Sequence, residues 1–272
     1  PKGGIISGSS SIINLEGWNW EDAVLKEDDG IHIQWPNNVN PRDTDQKRIS
    51  KRKQSYEDNI EKLKLFFDQA LSYEKKDFHL EKNIRYESMR PVIAKRSKIY
   101  IHADLAHDIT DAIFFFDNYD FDLVIVGAYE SWLVVELLKD RKIPVLLRRV
   151  HSLPKNEDDD IHLPYKLPFL LEQEGLLVGL QNSGSMEAMG TRNLPFYAGT
   201  AVAYGLDYEK AVAMLTLNTA KILGIDTQVG SIKQGKVATL FVSKGDALDM
   251  RSNKIELAFV EGKQIDLSLI HI

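Results

Sequence analysis

Ile99-Tyr100-Ile101-His102, Leu123-Val124-Ile125-Val126-Gly127, Pro144-Val145-Leu146-Leu147 and Leu176-Leu177-Val178-Gly179-Leu180 are four short apolar runs spread through the middle of the chain. Between them lie stretches with helical spacing. One runs from Asp108 to Asn118 with Ile109, Ile113 and Phe116 on one side, a second from about Glu130 to Asp140, and a third, shorter, from Pro168 to Glu174. A strand buried on both faces is apolar throughout instead of alternating, and such strands separated by helices define a parallel sheet covered on its outer face. The spacing therefore predicts an α/β fold of repeated strand and helix units.

Towards the N-terminus, Gly3 to Pro36 is turn-rich, and its apolar pieces Ile12-Ile13 and Ile31-His32-Ile33 read as strands. Arg42 to Tyr73 carries Ile60, Leu63, Phe67, Ala70 and Leu71 at helical spacing, an amphipathic helix whose basic start, Lys47 to Lys53, reads as a solvated face. Towards the C-terminus, Ala201 to Gly205 and Tyr208 to Leu223 form a helical pair, the second closed by Gly224 as a C-cap glycine. Helices stop after Gly230. Ala238 to Val242 and Ile255 to Val260 read as a small β meander with a tight turn at Glu261-Gly262.

Composition narrows the function. The chain has 272 residues, 43% hydrophobic and 27% charged, enough apolar surface for a proper core, so global disorder is excluded. Thirty-four Lys and Arg against forty Asp and Glu give a net charge of −6, which offers no broad cationic surface for a phosphate backbone; nucleic acid is not the expected partner. With no cysteine there are no disulfides, thiolate metal sites or cysteine nucleophiles. That absence fits a reducing compartment only weakly, and both a cytoplasmic and an exported location stay open. The longest apolar candidate, Leu133 to Leu147, is interrupted by Glu136, Lys139, Asp140, Arg141 and Lys142, short of the roughly 18–20 residues that span a bilayer, so no membrane partner is expected. The opening Pro1-Lys2-Gly3-Gly4 has neither an initiator Met nor a signal-peptide pattern, and the gene is expected to begin further upstream.

The stretch Asn218-Thr219-Ala220-Lys221-Ile222-Leu223-Gly224-Ile225, then Gly230-Ser231-Ile232-Lys233-Gln234-Gly235-Lys236-Val237-Ala238-Thr239-Leu240, closing with Ala258-Phe259-Val260-Glu261-Gly262-Lys263, resembles the C-terminal signature of the amidohydrolase superfamily, within it the imidazolonepropionase-like proteins. The likeness continues upstream through Arg192-Asn193-Leu194-Pro195-Phe196 and Ile101-His102-Ala103. It implies a TIM-type (β/α)8 barrel with its site at the C-terminal ends of the strands, flanked by a small β-sandwich assembled from both termini. The expected layout is a partial barrel over residues 1–227, lacking N-terminal strands, and a C-terminal β segment over 228–267. The implied activity is hydrolysis of C–N bonds by a hydroxide on Zn²⁺ or another divalent metal.

The resemblance implies metal ligands from a His-x-His on the first strand, a carboxylated Lys or Glu on the fourth, histidines on the fifth and sixth, and an Asp on the eighth. No two of the seven histidines are separated by a single residue, so the first pair is missing. His102, ending an apolar strand before Ala103-Asp104, matches the fifth-strand ligand. The sixth strand, Val126-Gly127-Ala128-Tyr129-Glu130, lacks a histidine, and the eighth, Leu177 to Ser185, lacks a carboxylate. Asn182, Ser183 or Ser185 occupies that place, none a general base at neutral pH, with Glu187 nearby in sequence. No catalytic residue is assigned. After the seventh strand come Arg148, Arg149, His151 and Ser152, then Glu157 to Asp160 and His162. In a barrel this loop lies at the site's mouth, so His151 and Arg149 could bind a substrate carboxylate or a metal, and Asn182 is the third substrate-binding candidate; the bland alternative is a solvated acidic loop with a locally packed histidine. Trp18, Trp20 and Trp35 read as a cover over the barrel sooner than as a ligand pocket. His107, with Asp104 and Asp108, reads as exposed, and His32, His79 and His271 have no metal-binding spacing.

Two classes of function follow. The first is a metal-dependent hydrolase of small-molecule C–N bonds in non-peptide or cyclic amides. The second is a non-catalytic degenerate barrel that binds a small molecule or a protein partner. Missing strands would leave unpaired edges, so a homo-oligomer that pairs them is a further expectation.

Overall fold

The computed structural model describes residues 3–37, 44–75, 81–182 and 187–267, so His79, His271, Ser183 and Ser185 lie outside the described residues. Strands β1 (Ile6–Ile13), β2 (Val24–Gln34), β3 (Lys98–Ala103), β4 (Leu123–Gly127), β5 (Val145–Leu147) and β6 (Val178–Leu180) form one sheet in that order. β1 runs antiparallel to β2, and β2 to β6 are all parallel. β1 carries three register shifts, at Gly8 and on both sides of Ile12. Such bulges blunt an outer strand as a template for further pairing.

The helices follow the strands as the spacing predicts. A short turn of helix, α1 (Trp20–Ala23), leads into β2, and α2 (Gln46–Glu74), α3 (Ile84–Glu87) and α4 (Arg90–Ile93) lie between β2 and β3. α5 (Ala106–Phe116) follows β3, and α6 (Val135–Asp140), preceded by a 3₁₀ turn over Ser131–Val134, follows β4. α7 (Leu163–Gln173) follows β5 and starts earlier than the spacing suggests, because Pro164 sits in its first turn, where a missing N–H costs nothing. α8 (Leu194–Ala203), α9 (Tyr208–Leu215) and α10 (Leu217–Leu223) come after β6, and β7 (Leu240–Lys244), β8 (Lys254–Val260) and β9 (Lys263–Gln264) form a separate antiparallel sheet.

Burial divides the strand residues by parity, as a pleat requires. Ile31, Ile33, Ile99, Ile101 and Ala103 point to the outer face and pack in the main core with Phe67 of α2 and Ile109, Ile113 and Phe116 of α5. Phe67 is fully buried, with the Phe116 ring 5.2 Å and the Tyr119 ring 5.4 Å away. Trp35 joins this core against Phe115, whereas Trp18 and Trp20 are 96% and 64% exposed and cover nothing. The complementary set, Gly30, His32 and Gln34 on β2 with Lys98, Tyr100 and His102 on β3, lies on the inner face.

The segment read as one helix from Tyr208 to Leu223 is broken at Thr216, whose φ and ψ are −122° and −89°. The break is held by Thr219 Oγ1 donating to Met214 O at 2.7 Å and Asn218 Nδ2 donating to Val178 O at 3.0 Å. It turns α10 onto the inner face of the sheet, where Ile222 packs with Tyr100, Val124, Val126 and Leu146.

Candidate active site

The inner face is closed by α10 at one end and opens on a polar cavity at the other. At the N-terminal ends of the strands α10 seals it, and two lysines hold the helix there. Lys26 Nζ donates to Leu223 O at 3.0 Å and Lys98 Nζ to Ile222 O. Ammonium groups at a helix C-terminus satisfy orphan carbonyls and complement the dipole together. Beneath them Asp29, 2% exposed, accepts from Lys26 Nζ at 2.7 Å and from the Tyr100 hydroxyl. Burial, then the Asp29 charge, pushes the Tyr100 hydroxyl far up, so it stays a donor.

Beyond Tyr100 the inner face turns polar. The His32 ring stacks on Tyr100 with centroids 4.8 Å apart and planes 13° from parallel. His32 Nδ1 lies 2.9 Å from His102 Nε2, and His32 Nε2 lies 2.9 Å from Ser10 Oγ. Gly30 makes room for this column, since a Cβ there would lie 2.4 Å from the Tyr100 ring. Burial pushes both imidazoles down to about 4, His102 also through its neighbour His32. Both are therefore neutral at neutral pH, and in their mutual bond one ring donates while the other accepts.

His102 thus lies on the inner face at the C-terminal end of β3, but beside a histidine that the sequence reading set aside as isolated. The signal was present: in Ile31-His32-Ile33 the two isoleucines go to the core, which leaves His32 on the opposite face. That this face is shared with His102, 70 positions later, depends on the β2/β3 register, Gln34 opposite His102 and His32 opposite Tyr100.

Asp104 follows β3 and turns its carboxylate over β4. A Cβ on Gly127 would lie 2.5 Å from Asp104 Oδ1, and Gly127 has φ +101°. On the strand where the resemblance implies a histidine and none stands, the space beside Gly127 is filled by this carboxylate. Asp104 Oδ2 lies 2.6 Å from Lys155 Nζ and 3.5 Å from Arg148. With Arg149, Tyr129, Leu147 and Leu153 they line a cavity of about 230 Å³ at the strand ends.

The other sequence candidates lie apart from this cavity. His151 Nε2 is 2.6 Å from Thr200 Oγ1, its ring edge-on to Tyr197 at 4.7 Å. Burial, then the Arg149 charge, holds its imidazole below the ordinary value. Asn182 lies beside Gly190. The acidic loop ties itself down: Asp159 accepts from the Tyr129 hydroxyl at 2.7 Å, and Asp160 pairs with Lys166.

The side chain of His107, expected at the surface, is 38% exposed, while Asp108 beside it is only 4% exposed. His107 Nε2 lies 2.9 Å from Asp108 Oδ1, outside hydrogen-bond geometry. Burial, against the pull of His107 and with Asp111, Asp104 and Glu130 nearby, pushes this carboxyl up to about 6. The folded state then holds a proton that the unfolded chain, with a pKa of roughly 3.9, has released. Stability from this group is full below that value and is lost as pH rises through about 6. Asp108→Asn is accordingly expected to raise the unfolding free energy measured by urea at pH 8 by about 2 kcal/mol, and to give little or no gain at pH 4. An equal effect at both pH values would contradict the assignment.

Zinc in a catalytic site takes three protein ligands at about 2.0–2.2 Å. Among the described residues no three His, Asp or Glu side chains converge in that way. The one imidazole pair has its nitrogens 2.9 Å apart in a hydrogen bond, closer than the roughly 3.3 Å between two donors on a common tetrahedral ion. The described residues do not fit a resident metal; any further donors would come from outside them.

Residues 176–265 match the model of the amidohydrolase family. The fold is similar over 96% of this chain, with a TM-score of 0.81 and 24% identity, to the crystal structure of an amidohydrolase from Thermotoga maritima MSB8, of which the chain spans 69%. Weaker likenesses are to a Xaa-Pro dipeptidase with bound methionine, TM-score 0.49 and 18% identity over 66% of this chain and 47% of that one, and to an adenosine deaminase from Xanthomonas campestris with bound Zn, TM-score 0.43 and 15% identity over 62% and 45%. No curated protein matches the sequence. The parallel strands with helices on their outer face define a TIM-type α/β protein. Over residues 176–265 the chain is thus similar in sequence to the amidohydrolase family, and over nearly its whole length it shares the fold of an amidohydrolase of known structure. Among the described residues no helix is long and apolar enough to cross a membrane.

Proposed function

We propose that this protein is a hydrolase of small-molecule C–N bonds, its substrate entering at the C-terminal ends of β2 to β6. One observation carries it: a neutral, inward-facing imidazole pair, His32 and His102, stands near Asp104 at the open end of an inner face that α10 seals at the other. A neutral imidazole at that place can take a proton from an attacking water. Cyclic amides of the imidazolonepropionase-like class head the substrate list, because the sequence resemblance points there. Metal dependence, implied by the same resemblance, calls for Zn²⁺ or Mn²⁺ in excess, since two imidazoles alone make a weak site.

The test is a panel of lactams, cyclic imides and dipeptides, assayed with excess Zn²⁺ or Mn²⁺ and with chelator. Turnover of at least one substrate is expected, falling on the order of 100-fold in His102→Ala, with circular dichroism unchanged. Elemental analysis after dialysis should show less than stoichiometric zinc. A folded chain that binds members of the panel without hydrolysing any, or a His102→Ala variant as active as the parent, would replace the hydrolase by a binding protein.

A further inference from the structure

The cavity at the strand ends carries a charge balance opposite to that of the chain. The protein as a whole has net charge −6, yet Arg148, Arg149 and Lys155 line this space against a single carboxylate, Asp104. That carboxylate is committed, with Lys155 Nζ at 2.6 Å and Arg148 at 3.5 Å. Lys155 also lies over the Tyr129 ring, 5.1 Å from its centroid. The Tyr129 hydroxyl donates to Asp159, so the ring is fixed as a wall. Arg149 has no carboxylate within ion-pair distance among the described residues. The remaining walls, Leu147, Leu153, Pro164 and Leu167, are apolar. Cations at the mouth of a low-dielectric cleft focus a positive potential, and an arginine with no carboxylate partner among the described residues is a ready donor to a planar carboxylate.

We infer that this cavity binds a small carboxylic acid, its carboxylate on Arg149 with Arg148 and Lys155 alongside, its apolar body against Leu147, Leu153 and Leu167. With about 230 Å³ it takes one compact acid or the acidic end of a larger molecule. The inference rests on the hydrolase reading for its place in catalysis, since the acid would present its scissile bond towards Asp104 and His102. As a binding site it stands alone.

Isothermal titration of the full chain tests it, with N-acetyl-L-leucine, its neutral amide, and inorganic phosphate. The acid is expected to bind at least about tenfold more tightly than the amide or phosphate, one carboxylate contact being worth roughly that factor. Arg149→Met, at an exposed position, should lower the acid's affinity by about the same factor and leave amide binding and the melting temperature unchanged. Equal binding of acid and amide, phosphate as tight as the acid, no heat with any acid, or an unchanged Arg149→Met would each overturn it. Acid binding without turnover removes the hydrolase and keeps the site. Turnover of neutral amides with no acid binding does the reverse.

Discussion

Asp29→Ala is expected to lower stability by about 3–5 kcal/mol, the range for breaking a buried ion pair by removing one partner. For a chain of this size that is a fall in melting temperature of roughly 10 °C. The reason lies in what the carboxylate holds. Asp29 is 2% exposed and accepts from Lys26 and from the Tyr100 hydroxyl. Without it the Tyr100 hydroxyl is buried with no acceptor, and the Lys26 ammonium, 23% exposed, loses its counter-ion. Lys98 suffers too: burial already pushes its ammonium pKa down, and Asp29 is the first group opposing that shift. Both lysines grip α10, so the loss spreads to the plug that closes the inner face. Asp29→Asn keeps an acceptor for Tyr100 and gives up only the charge, and should cost less, about 1–3 kcal/mol. Thermal unfolding followed by circular dichroism reads both. An alanine variant melting within about 2 °C of the parent would remove the buried network from the account of stability.

How far the sequence carried the fold can be seen strand by strand. The four runs beginning at Ile99, Leu123, Pro144 and Leu176 mark β3 to β6 because a strand covered on both faces leaves an uninterrupted apolar record. Gly224 was legible as a cap, and it takes φ +70° after α10. The break at Thr216 was not, because no glycine or proline marks it; it is made by side-chain hydrogen bonds from Asn218 and Thr219 to partners outside α10. The site was legible in half. His102 and Arg149 stood out by their places at strand ends. Gly127 and Asp104 could not, and His32 only as far as its face, since what links all three to that site is the pairing of β2 with β3 and of β3 with β4, a tertiary fact that spacing along one strand does not contain.

Gly127→His, which puts an imidazole on the strand where the resemblance implies one, is expected to destabilise the protein by about 3 kcal/mol and not to create a metal ligand. Two costs combine. At φ +101° any Cβ is strained, about 1–3 kcal/mol. The Cβ would also lie 2.5 Å from Asp104 Oδ1 and 3.4 Å from Ala103 O, so the Asp104 carboxylate must leave, and overpacking of that order costs a further 1–3 kcal/mol. Its departure strips Lys155 and Arg148 of their counter-charge, adding cationic repulsion at the cavity. Because both costs arise at Cβ, Gly127→Ala should destabilise nearly as much, which separates them from any property of the imidazole. Urea unfolding of the two variants, with and without excess Zn²⁺, provides the measurement. If the histidine variant were as stable as the parent and bound zinc tightly while the alanine variant unfolded early, then a metal would be compensating the strain. The position would then be a ligand site that lost its donor, and Asp104 would be a tenant that a metal can displace. The geometry favours the opposite order of cause: Asp104 occupies the space, and only glycine lets it do so.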